Sequence, residues 1–114
     1  MKKNFLISSG GSGGHIIPAT ILYDHLSEKY NVIISTDRRG LDYFDLNKYS
    51  HEIINTPRLK NLFLFPFYFF VIFYLTIKSF ILLKKKRIDK IFSIGGYMSI
   101  PLIFAARLLN LEIY

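Results

Sequence analysis

The chain contains no cysteine. Disulfides, thiolate metal sites and cysteine nucleophiles are therefore excluded, and a reducing compartment, by default the cytoplasm, is expected. Acidic residues are scarce: eight Asp and Glu stand against fifteen Lys and Arg, a formal net charge of +7. Such a surplus asks for an anionic partner, whether nucleic acid, a phosphorylated small molecule or an acidic membrane surface. No secretory leader is readable in MKKNFLISSGG, where glycines cut the apolar run short. Internal repeats beyond a βα alternation, low-complexity linkers and an acidic metal motif are also missing from the pattern. A length of 114 residues suits one domain with one site.

What is present reads as α/β. Asn4 to Ser8 (NFLIS) is a β-favouring run that ends in glycines, and Pro18 to Tyr30 sets Ala19, Leu22, Leu26 and Tyr30 at helical spacing. Asn31 to Thr36 (NVIIST) has no polar alternation, as expected of a parallel strand covered on both faces. The pattern predicts a third strand at His51 to Asn55, a long apolar helix, and a fourth strand at Lys90 to Ile94 ending in Gly95-Gly96. Ser99 to Leu109 then reads as a helix with proline in its first turn, and Leu111 to Tyr114 as the opening of a further strand. The expectation is a Rossmann-like parallel sheet with flanking helices, continued in a longer parent or a partner chain. A short edge strand is the alternative.

The stretch SSGGSGGHIIPA sets four glycines around Ser12 with His15 behind them. A glycine turn between a strand and a helix N-terminus aims backbone N–H groups at a ligand, and the helix dipole favours negative charge there. Phosphate is the natural guest. The dinucleotide pattern G-x-G-x-x-G fails, since Ile16 stands where its last glycine belongs, and no Walker lysine follows. His15 falls at the start of the helix, where a neutral imidazole is favoured and can take a proton as a general base. An ordinary capping or packing histidine is the bland alternative. Asp37 lies beside Arg38 and Arg39, and a solvated ion pair is its expected role.

Gly10 to Ala19 (GGSGGHIIPA) resembles the N-terminal signature of the MurG family of peptidoglycan glycosyltransferases, within glycosyltransferase family 28. Gly95 to Pro101 (GGYMSIP) resembles that family's second glycine motif, and the similarity covers essentially the whole chain. The resemblance implies the N-terminal, acceptor-side half of a two-domain GT-B fold, with the C-terminal donor-binding domain to be supplied by further chain or a partner. It implies transfer of N-acetylglucosamine from UDP-N-acetylglucosamine (UDP-GlcNAc) to a lipid-linked muramoyl-pentapeptide, with no cofactor besides that donor substrate. By the same resemblance Gly11, Ser12, Gly13 and Gly14 contact the UDP-sugar, with Ser12 in place of the usual threonine. His15 acts near the reacting hydroxyl, and Gly95, Gly96, Tyr97 and Ser99 receive the acceptor's diphosphate.

Leu62 to Leu83 carries only one charge, Lys78, and as a helix would extend about 33 Å, enough for a bilayer core of about 30 Å. A helix connecting two parallel strands of one sheet cannot thread a membrane, because both its ends lie on one side. Basic residues flank it, Arg58 and Lys60 before and Lys84, Lys85, Lys86 and Arg87 after, as for a segment pressed into an anionic leaflet from one side. An interfacial helix is the reading taken. Phe67, Phe69, Phe70 and Phe73 are its expected membrane contacts, and Pro66 is expected to split off a short tip. Burial against a missing domain and a true transmembrane anchor are the alternatives. The family resemblance implies a peripheral protein on the cytoplasmic face of the bacterial membrane.

Three readings of function follow: the acceptor-side part of a UDP-GlcNAc transferase, a membrane-anchored subunit of a split glycosyltransferase, and a non-catalytic module binding a polyprenyl diphosphate. Nucleic acid is not expected as a partner, because the basic run borders a greasy segment instead of stacking aromatics on a polar sheet.

Overall fold

The structure, a computed structural model, describes residues 3–10, 13–43, 47–54, 65–94 and 100–114. Its elements in chain order are β1 (Asn4–Ser9), α1 (Gly13–Leu26), β2 (Asn31–Thr36), a 3₁₀ helix (Arg38–Tyr43), β3 (His51–Ile53), α2 (Phe65–Lys85), β4 (Lys90–Ile94), α3 (Ile100–Leu108) and β5 (Glu112–Ile113). The five strands form one sheet in the order β3-β2-β1-β4-β5, and every pairing is parallel. This is the α/β, Rossmann-like architecture that the sequence predicts.

β1 lies at the centre, and alternate side chains feed two cores. Leu6 and Ile91 pack with Leu75 and Leu83 of α2 and Leu102, Ala105 and Ala106 of α3. On the opposite face Ile7, Val32 and Ile34 meet Ala19 of α1 and Tyr49. With apolar partners on both faces, these strands need no polar alternation. Full burial of a side chain such as Leu6 contributes about 1.5–3 kcal/mol. The amino edge of the sheet is pinned by polar contacts across the fold. Asp89 N–H donates to the Asn4 carbonyl (2.7 Å), Asn4 N–H to Asp89 Oδ2 (2.8 Å), and Asn31 Nδ2 to Asn4 Oδ1 (3.0 Å).

The helix ends have identifiable causes. After α2, Arg87 takes a left-handed φ of 54° while Ile88 N–H bonds the Leu83 carbonyl and Arg87 N–H the Lys84 carbonyl. After α3, Asn110 (φ 56°), Leu111 and Arg107 repeat this arrangement, with Leu111 N–H on the Ala106 carbonyl. Both are Schellman caps, and each seats an apolar residue just past the helix against the core.

Both ends of α1 need correction. α1 begins at Gly13 instead of Pro18, so Pro18 sits inside it, and the helix stops at Leu26, ahead of Tyr30. Tyr30 instead packs its ring at a tilt against Phe5, centroids 4.3 Å apart, where strand packing outweighs helical periodicity. Pro66 is the second residue of α2, where a missing N–H costs nothing, and the short tip expected before it lies outside the described residues. The expected start at Leu62 and the Asn55 end of β3 lie outside the described residues, and the 3₁₀ helix was not foreseen.

Candidate functional site

All strands being parallel, their carboxyl ends share one edge. Ser9, the last residue of β1, pairs with Ile94, the last of β4. From this pair the chain turns into the two glycine segments, then into α1 at Gly13 and α3 at Ile100. Between β1 and β4 the strand order reverses, one connection running to β2 and the other to β5. Crevices at such a reversal are where open α/β sheets bind ligands.

His15 is the third residue of α1, half-buried in its first turn, and Gly14 beside it is exposed. Its ring lies against the backbone at Gly10: a β-carbon there would meet Nδ1 at 2.6 Å. Ser9 Oγ donates to the Gly10 carbonyl at 3.0 Å, which fixes the chain as it leaves β1. The arrangement can present backbone donors and an imidazole at one helix start. Gly13 opens α1, while Gly11, Ser12, Gly95, Gly96, Tyr97 and Ser99 lie outside the described residues.

The neighbouring strand end carries Asp37, whose Oδ2 accepts from Arg39 Nε at 2.9 Å and whose Oδ1 accepts from Gly40 N–H at 3.3 Å. The expected ion pair exists, but the carboxylate is not solvated; Asp37 is 6% exposed, because the 3₁₀ helix folds over it. That helix is keyed to α1 by Gly40, whose Cα hydrogen points at Thr36 Oγ1 and at Ile16 Cδ1 (2.8 Å from a would-be β-carbon). Among the described residues, no three His, Asp or Glu side chains gather as metal ligands. Among the described residues, the titratable groups with displaced pKa values, Lys90 and Glu112, lie at the opposite, amino edge.

A second surface surrounds α2. Ile72, Leu75, Ser79 and Leu83 form its buried stripe, while Phe67, Phe69, Phe70, Phe73 and Tyr74 are exposed. Lys84, Lys85, Lys86 and Arg87 are exposed at its far end. By length and composition Pro66–Lys85 could cross a membrane, with a mean hydropathy of 1.9. The parallel pairing of β2 with β3 and of β1 with β4 argues against that use, since it returns both helix ends to one sheet.

Comparison with known proteins follows the same lines. Residues 5–114 match the model of the "Glycosyltransferase family 28 N-terminal domain". The chain is 44% identical over 114 residues to the UDP-N-acetylglucosamine--N-acetylmuramyl-(pentapeptide) pyrophosphoryl-undecaprenol N-acetylglucosamine transferase of Pelagibacter ubique, covering 99% of this chain and 32% of the relative. A protein of the same name from Prochlorococcus marinus is 36% identical over 115 residues, with 98% and 31% covered. The chain thus spans about a third of the length of the curated relatives it matches. Among solved structures, MurG of Acinetobacter baumannii superposes with a TM-score of 0.79 at 24% identity, covering 97% of this chain and 34% of that one, a likeness of fold. With a match over nearly its whole length and relatives well above 30% identity, the chain belongs to the glycosyltransferase family 28 N-terminal domain family.

Proposed function

We propose that this chain is the acceptor-side part of a UDP-N-acetylglucosamine transferase that acts on a lipid-linked muramoyl-pentapeptide at the cytoplasmic face of the bacterial membrane. The observation that carries the reading is that the paired strand ends Ser9 and Ile94, after each of which a glycine segment follows in sequence, share one edge of the sheet with His15 in the first turn of α1. In the transfer, an acceptor sugar hydroxyl attacks the anomeric carbon of the donor. A new C–O bond forms, the C–O bond to the diphosphate breaks, UDP leaves with the electron pair, and the hydroxyl proton passes to a base. His15 is that base in this proposal, and backbone N–H groups at the helix starts balance the diphosphate charge. The relatives' names supply the two substrates, and a C-terminal donor-binding domain is the partner the reaction requires.

The exposed aromatic face of α2 and its basic end support peripheral docking on an anionic leaflet. His15→Ala, in a chain completed by its donor domain, is expected to lower sugar transfer by about 10²–10⁴-fold while sparing lipid binding. Unchanged turnover would leave a binding module and remove the catalytic role. Vesicle flotation checks the membrane part: binding should need anionic lipid and the Lys84–Arg87 run, and indifference to both would refute it.

A further inference from the structure

We infer that α2 meets the bilayer obliquely, its aromatic N-terminal end deepest, so that the carboxyl edge of the sheet is tipped toward the headgroups. The inference rests on the membrane docking proposed above and concerns its geometry. As a crossover between β3 and β4, α2 runs antiparallel to the strands. Its first turns therefore lie at the edge that carries His15, and its last turn lies at the amino edge, where the Arg87 carbonyl accepts from Asn4 Nδ2 at 3.1 Å.

Charge on this helix is sorted along the axis more than around it. From Pro66 to Tyr74 the exposed side chains are all uncharged, and most are aromatic. From Ile77 onward, exposed Ile77 and Ile81 alternate with Lys78, Lys84 and Lys85, and the chain continues as Lys86-Arg87. A helix lying flat in the interface would need its cations spread along one side for its whole length. A helix with a greasy end and a cationic end reaches its lowest free energy when tilted. Arg58 and Lys60 precede it in sequence and lie outside the described residues.

Backbone strain marks the cationic end independently. Arg87 holds a left-handed φ of 54°, a position where glycine is the undemanding choice. The Schellman bonds to Leu83 and Lys84 then hold its backbone, presenting the guanidinium from a fixed cap. Such a locally costly residue is expected where its side chain has a use.

The tilt can be bounded. Phe67 and Lys85 are separated by about 27 Å along the axis at 1.5 Å per residue. With the aromatic end about 5–10 Å into the boundary and the basic end at the headgroup plane, α2 inclines by about 10–20°.

The chain has no tryptophan, so single-tryptophan variants report without background. Phe70→Trp and Ile81→Trp fall at positions 70% and 59% exposed, where folding should be unaffected. Phe69→Trp and Ile77→Trp provide a second pair. Each is bound to phosphatidylcholine–phosphatidylglycerol vesicles brominated either near the glycerol or near the acyl terminus. Tryptophan at 70 should sit about 3–6 Å deeper than at 81, with 77 between them. Equal depths, or a deeper 81, would overturn the tilt while leaving membrane docking intact. Quenching of both sites from the bilayer centre would replace it with a span. Failure of all variants and of the parent chain to bind vesicles would refute docking and tilt together.

Discussion

A β-carbon on Gly10 would stand 2.6 Å from His15 Nδ1 and 3.3 Å from its Cε1. The imidazole in the first turn of α1 is thus seated on bare backbone at the end of β1. The demand at Gly10 is for space. Gly10→Ala should push the ring off its seat and lower sugar transfer by about 10²-fold in the completed enzyme. Steady-state kinetics check this, together with the double variant: combined with His15→Ala, the alanine should add little, because both changes act on one group. Full additivity would show that Gly10 serves the ligand directly.

Gly40 makes a similar demand for a different purpose. An added β-carbon would collide with Thr36 Oγ1 and Ile16 Cδ1, so Gly40→Ala should lift the 3₁₀ helix from α1. A loss of about 1–3 kcal/mol is expected in urea unfolding. An unchanged midpoint would mean that the 3₁₀ helix is free to shift at no cost.

Ser79 lies in the buried stripe of α2, and its Oγ has no hydrogen-bond partner among the described residues. Removing a buried unpaired hydroxyl relieves its desolvation, and alanine is the better helix former. Ser79→Ala should therefore raise stability by up to about 1 kcal/mol, seen as an upward shift in Tm. Ser79→Leu should lower it by about 1–3 kcal/mol, since Ser79 is fully buried and the added volume has no space to fill.

Arg87 separates stability from docking. Arg87→Gly should stabilise the isolated chain by about 1 kcal/mol, because the left-handed cap no longer carries a side chain. The same change should weaken binding to anionic vesicles by about fivefold, the loss of one cation near the surface. Unfolding and flotation measured on one preparation would reveal whether the two effects oppose each other.

At the amino edge, Lys90, Glu112 and Tyr114 form a small clasp on β5. The Tyr114 hydroxyl donates to Glu112 Oε2 at 2.8 Å, and Lys90 Nζ approaches that oxygen at 3.2 Å. The hydroxyl first, and Lys90 next, hold the Glu112 carboxyl below its usual range, while Glu112 raises Lys90 above its own. Glu112 therefore stabilises above the ordinary carboxylate pKa, and this is lost as pH falls through its lowered value. Lys90 stabilises below the ordinary lysine pKa, and this is lost as pH rises through its raised value. Glu112 is exposed and Lys90 only half-buried, so the effect is small and salt-sensitive. Lys90→Met should return the Glu112 titration, followed by NMR, toward the usual carboxylate range; an unmoved titration would contradict the clasp.

The strands were legible because parallel, doubly covered strands leave a plain apolar signature: NVIIST and KIFSI have the boundaries read from sequence. The start of α1 was not legible, since glycine and proline argue against helix while Gly13 to Pro18 adopts it. A helix packed on its sheet through Ile16 and Ala19 overrides that local preference. The place of His15 at the start of α1, on the carboxyl edge of the sheet, could be read from its position behind the glycine run. The roles of Gly10 and Gly40 could not, because each depends on an atom brought near by folding. Asp37 was read as a surface ion pair, since the 3₁₀ helix that covers it has no periodic signal.

The central place of β1 also sets an order of assembly. Its pairing with β2 closes over a short connection, whereas β4 must return to it from about eighty-five residues along the chain, as the Asn4–Asp89 bond records. Loop closure makes the first pairing fast and the second slow. Until β4 arrives, the face of β1 that carries Leu6 lacks Ile91, and the aromatic helix meant for that face has only Leu6, Ile33 and Ile54 of an unfinished sheet to lie on. During synthesis α2 is thus complete before its platform is, and its apolar stripe stays partly uncovered until β4 pairs with β1.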